Sequence, residues 1–327
     1  MQWLRRFDLF LMAIIASALL ASVLPATGAW IPIVAWATKL AIAALFFLYG
    51  ARLSTRQALD GLRHWRLHAT ILSFTFVVFP LLGLALRVTV PTLMSPALYA
   101  GVLYLTLLPS TVQSSIAFTS IARGNVAGAI VSASASNLLG VVLTPLLCAA
   151  LMTTSGVSLD ARSVLDIVGQ LLVPFALGQV LRPWIGAWVA SHSRPLKLVD
   201  RGSIVLAVYS AFSEGMREGI WTQVSAVGMA ALIGVLLVML TFMLWLTWTV
   251  AVGLGFNRED VIAIQFCGTK KSLASGLPMA LVLFAGQGVG LIVLPLILFH
   301  QAQLMACSAL ASRYAREAPA AQTTVPA

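Results

Sequence analysis

Charged residues are scarce in this sequence. Only 9% of its 327 residues are Asp, Glu, Lys or Arg, whereas a soluble domain carries about 25%. Hydrophobic residues make up 60% of the chain, and the mean hydropathy is +0.97. This composition excludes a soluble globular domain. We expect an all-α polytopic protein embedded in the lipid bilayer.

Cysteine is also rare, and no motif of enzyme chemistry accompanies it. Cys148, Cys267 and Cys307 have neither metal-ligand nor disulfide spacing, and in apolar segments a small buried hydrophobe is their ordinary role. The sequence has no P-loop, no metal-ligand constellation and no nucleophile–base arrangement. We therefore predict no enzyme activity, no catalytic residue, no metal site and no cofactor beyond a coupling ion.

Apolar runs of about 20 residues are abundant, and they suit transmembrane helices better than the roughly ten-residue strands of membrane barrels. Joints rich in charge, Gly or Pro divide them into ten spans: 8–25, 30–51, 67–88, 96–122, 125–152, 163–187, 202–219, 222–253, 260–285 and 288–312. The first run also fits a signal peptide, because Arg5-Arg6 precedes it. Its apolar part, Leu9 to Pro25, is longer than a usual signal core, so we interpret it as the first span.

The basic residues are distributed unevenly over the joints. The net charge of +10 could suggest nucleic acid. With the N-terminus inside, however, fourteen of the 20 lysines and arginines fall on inner joints and termini, three on outer joints and three within spans. Positive residues concentrate on the cytoplasmic side of membrane proteins. We therefore predict a plasma-membrane protein with both termini cytoplasmic and no nucleic-acid partner.

Polar residues interrupt the fourth and ninth spans. Pro109–Ser115 and Gly268–Ser272 fall at similar places in the two halves of the chain. Five spans per half is an odd number, so tandem halves must have opposite orientations, as in many secondary transporters. We predict two inverted five-helix repeats, over 1–152 and 153–316, and a disordered tail over 317–327. Helices four and nine are expected to be broken and to cross.

The interruptions supply the candidate binding site. Half-helix N-termini carry positive dipole ends and unpaired N–H groups, and unwound carbonyls can hold cations. The predicted site residues are Gln113, Ser114, Ser115, Gly268, Thr269, Lys270, Lys271 and Ser272. Each hydroxyl alone is explained equally well as a hydrogen bond between packed helices. The two clusters together favour a site.

Lys270 and Lys271 make the charge within the membrane mostly positive. One central lysine costs about 2.5–3.5 kcal/mol on insertion, and no Asp or Glu lies at the centre of any predicted span. A positive cavity attracts an anion, or it holds a lysine that can release its proton. The sequence therefore predicts a small organic anion as substrate, with proton coupling as one possibility.

Three further polar residues are secondary candidates, and each has two interpretations. Lys39 either snorkels to the headgroups or lines a pocket. Glu214 is either a solvated residue at a span end or a partner of the lysines. His300 either relays protons or forms a packing hydrogen bond.

At its two interruptions the sequence resembles the bile acid:sodium symporter family, in the sodium-symporter-like bacterial branch. The similarity is most specific at Pro109–Ser115, Ala122–Asn125 and Gly268–Ser272, and it extends to the number and order of spans. The resemblance implies a ten-helix fold in which a panel of helices packs on a core that contains the crossing. It also implies alternating-access transport of organic anions, with sodium bound behind the crossing.

The sequence departs from the sodium-coupled members where the resemblance places the ion. Ser114-Ser115 replaces their Ser-Asn pair, Phe266 replaces a Glu, and Lys270-Lys271 replaces a Gln-Asn pair, whereas Ser272 matches. Na⁺ is a hard ion that needs oxygen ligands, and these replacements remove several. We therefore expect a secondary-active transporter that does not strictly require Na⁺. The alternative is a membrane sensor or regulator that reuses the fold.

Overall fold

Helices form all the regular structure that can be described. The computed structural model describes residues 9–52, 64–152, 161–217, 219, 224–284 and 288–317. The helices are α1 (Leu9–Val23), α2 (Trp30–Arg52), α3 (Trp65–Thr89), α4 (Pro96–Thr106), α5 (Gln113–Ile121), α6 (Val126–Leu151), α7 (Ala161–Ser191), α8 (Ser193–Arg217), α9 (Ala226–Gly253), α10 (Arg258–Gly268), α11 (Leu273–Leu283) and α12 (Val289–Glu317). No strand occurs within these ranges, so the predicted all-α class is confirmed.

Among the described residues, five helices are long and apolar enough to cross a bilayer alone, namely α2, α3, α6, α9 and α12. The predicted fourth and ninth spans are each divided in two, α4 with α5 and α10 with α11. At 1.5 Å per residue, none of these four short helices reaches across a hydrocarbon core of about 30 Å. The multi-pass helical class is therefore confirmed, whereas the count of ten spans and the inverted repeat stay predictions. The predicted tail after Glu317 lies outside the described residues.

Four helices, α1, α2, α7 and α8, form one packed group. Helices α2 and α7 approach closely, because both present a glycine at the contact. A Cβ added at Gly178 would collide with the carbonyl oxygen of Phe47, and one added at Gly50 would collide with that of Phe175. Only glycine permits this backbone-to-backbone approach.

The other helices pack around the two interrupted segments. In this second group, α10 contacts α3, α5, α6 and α9, and α4 lies along α12. Helix α3 is irregular, since Phe74–Val78 forms a π-helical turn, a feature often found at functional sites. The two groups meet where α8 packs against α11 and α12 and where α7 packs against α6.

Candidate functional site

The two interruptions touch each other in the protein interior. The chain leaves the helical conformation between Thr106 and Gln113, and again between Gly268 and Leu273. The backbone N–H of Ser272 donates to the carbonyl oxygen of Pro109 at 2.9 Å. Buried backbone groups need partners, and here one unwound segment supplies them to the other.

Side-chain hydroxyls extend this contact. Ser110 donates through Oγ to the carbonyl oxygen of Cys267 at 2.6 Å, and its own backbone N–H donates to Ser136 Oγ at 3.0 Å. Thr144 Oγ1 donates to the carbonyl oxygen of Leu107 at 2.9 Å. The interruption after α4 is thus held by hydrogen bonds to α6 and α10.

Lys271 is saturated by backbone carbonyls. Its Nζ donates three hydrogen bonds, to the carbonyl oxygens of Thr75 at 2.9 Å and of Thr106 and Leu108 at 2.8 Å. Nζ also lies 4.2 Å from the ring centroid of Phe79, and the whole side chain is buried. Since an ammonium has three N–H donors, this set satisfies Lys271 completely.

Helix geometry explains why the carbonyls of Thr106 and Leu108 are free. Thr106 is the last residue of α4 and Leu108 lies two positions further on, whereas Thr75 lies in the π-helical turn within α3. The last carbonyls of a helix have no partner within the helix, and they lie at its negative dipole end. Together they form an oxygen cage of the kind that holds a cation in interrupted-helix transporters. In this chain the ammonium of Lys271 fills the cage.

Gln303 of α12 clamps the backbone at Lys271. Its Oε1 accepts the Lys271 N–H at 2.9 Å, and its Nε2 donates to the Lys271 carbonyl oxygen at 2.9 Å. The same Nε2 lies 2.9 Å from Nδ1 of His300. Sequence analysis missed Gln303, although an amide inside a span three residues after a histidine was a usable signal. His300 therefore makes the packing hydrogen bond that one interpretation expected, and a proton-relay role stays a prediction.

Lys270 has a different environment from its neighbour. It is fully buried, and its Nζ lies 3.8 Å from the ring centroid of Phe118 and 5.8 Å from that of Phe266. Nζ makes no hydrogen bond to any of the residues described. Aromatic rings attract a cation, but they do not replace hydrogen bonds. The adjacent lysines are thus one saturated and one unsaturated group.

The predicted hydroxyl residues divide into two sets. Ser115 Oγ donates to the carbonyl oxygen of Phe266 at 3.2 Å, and Thr269 Oγ1 donates to that of Gln265 at 2.6 Å. These are packing hydrogen bonds at fully buried residues. In contrast, Ser114 and Ser272 line a cavity.

That cavity has a volume of about 490 Å³ and lies between the two helix groups. Its lining includes Gln113 and Ser114 at the start of α5, together with Leu273 and Ala274 at the start of α11. Two helix N-termini, each with a positive dipole end, thus border one space. Such ends favour a negatively charged ligand.

Two hydroxyls that line the cavity have no hydrogen-bond partner among the described residues. Thr111 is only 8% exposed, and its Oγ1 makes no hydrogen bond with the described part of the chain. Ser114 Oγ is likewise buried and unpaired. Buried hydroxyls are nearly always hydrogen-bonded, to water or a ligand where the protein offers nothing. Thr111 was not among the predicted site residues.

A basic cluster lines another part of the cavity. Arg52 ends α2, while Lys197 and Arg201 lie on α8 and are exposed. Asp200 lies among them and forms an ion pair with Arg52. Sequence analysis assigned these cations to the inner joints alone and did not connect them with the site.

Two secondary candidates are not brought to the crossing. Lys39 is exposed on α2, with Nζ 5.3 Å from the ring centroid of Trp36. Glu214 is half-buried near the end of α8. Neither is part of the cavity lining. Gly268, the last residue of α10, is buried at the interruption itself.

Comparison with known proteins identifies a transporter family. A family model described as the SBF-like CPA transporter family matches residues 8–316. An uncharacterized protein of Pseudomonas aeruginosa, PA2026, is 51% identical over 313 residues, covering 94% of this chain and 93% of that protein.

Two named transporters are also similar. "Putative symporter YfeH" of Escherichia coli (strain K12) is 46% identical over 317 residues, which are 97% of this chain and 96% of that protein. "Sodium/bile acid cotransporter 7" of Mus musculus is 30% identical over 276 residues, which are 83% of this chain and 81% of that protein. The resemblance inferred from the interruptions is therefore confirmed. The chain belongs to the SBF-like CPA transporter family, a family of membrane transporters that resembles the bile acid:sodium symporters.

Proposed function

We propose that this protein is a secondary-active transporter that moves a small organic anion by alternating access. The observation that carries the proposal is the cavity at the crossing, where two helix N-termini meet the unpaired hydroxyls of Thr111 and Ser114. Hydroxyl and N–H donors arranged around one space suit a carboxylate, sulfate or sulfonate. Exposed cations at Lys197 and Arg201 attract such an anion from solution.

The cavity also suits an apolar body on the anion. Besides polar groups, its wall carries Phe10, Tyr49, Phe175 and Leu138. Small-molecule sites combine apolar walls with a few placed polar groups. The name of the Mus musculus relative refers to sodium and bile acid, and a bile acid is an amphipathic anion. An amphipathic organic anion is therefore the substrate class that we propose.

The proposal includes the membrane arrangement expected from the sequence. It comprises ten helices in two inverted repeats, both termini in the cytoplasm, and location in a bacterial inner membrane. The basic cluster of Arg52, Lys197 and Arg201 then lies on the cytoplasmic side. With this orientation, the cavity belongs to an inward-facing conformation.

We further propose that transport does not require Na⁺. In this chain the ammonium of Lys271 takes up the carbonyls of Thr75, Thr106 and Leu108, which would otherwise be free to coordinate an ion. A second cation at about 4 Å would be repelled by about 4 kcal/mol at an effective dielectric constant of about 20. A covalently attached cation thus replaces a diffusible one.

Reconstituted flux tests the proposal. Purified protein in liposomes should take up a radiolabelled amphipathic sulfonate faster than protein-free liposomes, with equal rates in NaCl and choline chloride. Thr111→Val should slow uptake because it removes an unpaired donor, and Ser115→Ala serves as the control outside the cavity. Binding without flux under every ion gradient would instead support a sensor or regulator.

A further inference from the structure

The ion pair between Arg52 and Asp200 has an unusual geometry for an arginine and a carboxylate. Only Arg52 Nη1 and Asp200 Oδ2 make it, joining the end of α2 to α8. The other two atoms, Arg52 Nη2 and Asp200 Oδ1, are buried and make no hydrogen bond with any described residue. Arginine and carboxylate commonly pair through both prongs. This pair therefore leaves one strong donor and one acceptor unused, and both residues line the cavity.

Asp200 is the only acidic residue among the described residues that line the cavity. It is 8% exposed. The other titratable or charged groups of the lining are Tyr49 and Arg52 on α2, Lys197 and Arg201 on α8, and His300 on α12. No second carboxylate shares the space within the described chain. The ionisation of Asp200 therefore decides how much positive charge this cluster offers to a ligand.

An entering anion and the Asp200 carboxylate compete for the same guanidinium. While Asp200 is ionised, it occupies Arg52 and repels the anion. A proton on Asp200 removes the repulsion, and the contact with Arg52 becomes weaker because the Coulomb attraction between two opposite charges is lost. Arg52 can then turn its unpaired Nη2 to the anion. By linkage, an anion that prefers the protonated form must draw a proton onto the protein when it binds.

We propose that Asp200 is the proton-binding residue of this transporter and that it controls Arg52 as an anion-binding residue, so that proton and organic anion bind together. The proposal rests on the proposed function and adds its coupling ion. One proton from water attaches to an Asp200 carboxyl oxygen, and one anionic charge pairs with Arg52. The net charge of the loaded site equals that of the empty site, which lowers the cost of moving the site through the membrane.

The two lysines of the crossing do not have the access to the cavity that Asp200 has. Lys270 and Lys271 are both fully buried and are not part of the cavity lining. Lys271 is further held by three carbonyls. Asp200 lines the cavity beside the exposed residues Lys197 and Arg201. Access therefore favours Asp200 as the group that exchanges a proton during transport.

The test measures binding of naphthalene-2-sulfonate to the full-length protein in detergent by calorimetry, from about pH 4 to about pH 8. This window spans carboxyl and imidazole titration, and the sulfonate itself stays ionised throughout. Wild-type protein should bind more tightly as the pH falls, by at most about tenfold per pH unit for one linked proton. Repeating the titration in buffers of different ionisation enthalpy should reveal uptake of up to one proton per anion.

Single variants show which residue causes the pH dependence of sulfonate binding. Asp200→Asn, which resembles the protonated carboxyl in shape and charge, should bind at every pH as tightly as wild type binds at the lowest pH. Arg52→Gln should bind weakly and without pH dependence. His300→Gln should keep the wild-type slope whatever its absolute affinity. Unfolding temperature and size-exclusion profile establish that each variant is folded.

The outcomes separate the two proposals. A wild-type affinity that does not change with pH, or a slope that persists in Asp200→Asn, would overturn the coupling role of Asp200. A slope that disappears only in His300→Gln would assign the proton to the histidine instead. No binding at any pH, in wild type and Asp200→Asn alike, would contradict the proposed anion transport itself.

Discussion

At the scale of single residues, the two adjacent lysines carry out different tasks. Lys271 is fully hydrogen-bonded to carbonyls, and its backbone is clamped by Gln303. Lys270 lies against the rings of Phe118 and Phe266, and its Nζ makes no hydrogen bond within the described part of the chain. We propose that the fixed ammonium of Lys271, inside its oxygen cage, takes the place of a bound cation. The chain thus carries its cation covalently.

Lys271→Asn should make the protein respond to Na⁺. The change removes the ammonium, and each of the three carbonyls left unpaired costs about 1–3 kcal/mol. We expect a lower unfolding temperature than wild type in choline chloride, partly restored by NaCl at equal ionic strength. Wild type should show no difference between the two salts. Wild-type uptake that rises steeply with Na⁺ at fixed pH and ionic strength would show that Lys271 does not replace the ion.

Combining Lys270→Gln with Lys271→Asn tests whether the two lysines together take the place of a sodium site. Each single change should reduce transport sharply, because each alters the charge at the crossing. The double variant recreates the Gln-Asn pair of sodium-coupled members at these positions, so we expect the larger Na⁺ response from it. A double variant as insensitive to Na⁺ as wild type would mean that the remaining departures, such as Phe266, already abolish the ion site.

Cysteine labelling separates residues of the cavity from those of the packing. In a background without Cys148, Cys267 and Cys307, which are all buried, Ser114→Cys and Ser272→Cys should react with an aqueous thiol reagent, since both positions line the cavity. Ser115→Cys and Thr269→Cys should react slowly, because both side chains are fully buried. Equal protection at all four positions would contradict an accessible site.

At the scale of helices, close packing fixes the wall of the cavity opposite the crossing. Helices α2 and α7 meet through Gly50 and Gly178. Tyr49 and Phe175, each within a few residues of one of these glycines, line the cavity. The distance between the two helices therefore sets the position of two aromatic side chains. A change at the contact is transmitted to the site.

Gly178→Ala should destabilise the protein, since the new methyl group would collide with the carbonyl oxygen of Phe47. Overpacking of this kind typically costs about 1–3 kcal/mol. Gly202→Ala is the matched control, because no atom lies within 4 Å of a Cβ added there, and alanine favours a helix over glycine by about 1 kcal/mol. The unfolding temperature in detergent should fall for Gly178→Ala and not for Gly202→Ala. Equal midpoints would mean that α2 and α7 are not so closely packed.

At the scale of the whole molecule, the distribution of charge predicts the orientation in the membrane. A reporter fused after Ala327 should report the cytoplasm, and one inserted within residues 153–162 should report the periplasm, because positive residues stay on the cytoplasmic side. The basic cluster at the cavity then faces the cytoplasm. A periplasmic signal from the first fusion or a cytoplasmic signal from the second would contradict ten spans in this orientation.

Local chemistry was sufficient to determine the membrane class, the helical class, the two interruptions and the family. Hydropathy is a property of consecutive residues, and helix breaks at Pro109 and Gly268 are marked by the residues themselves. The polar composition of both stretches also predicted a binding site at the two interruptions. These features depend on near neighbours in the chain, so the sequence alone contains them.

Only the tertiary structure decided which partners these residues find. The carbonyl of Thr75 that meets Lys271 is separated from it by 196 positions, and Asp200 is 148 positions from Arg52. Two features could not be predicted from neighbouring residues in the sequence. They are the cage that distinguishes Lys271 from Lys270 and the ion pair at the cavity. Each arises where helices distant in sequence pack together. The hydrogen bonds of a buried polar group are set by that packing, and they determine what the group can do.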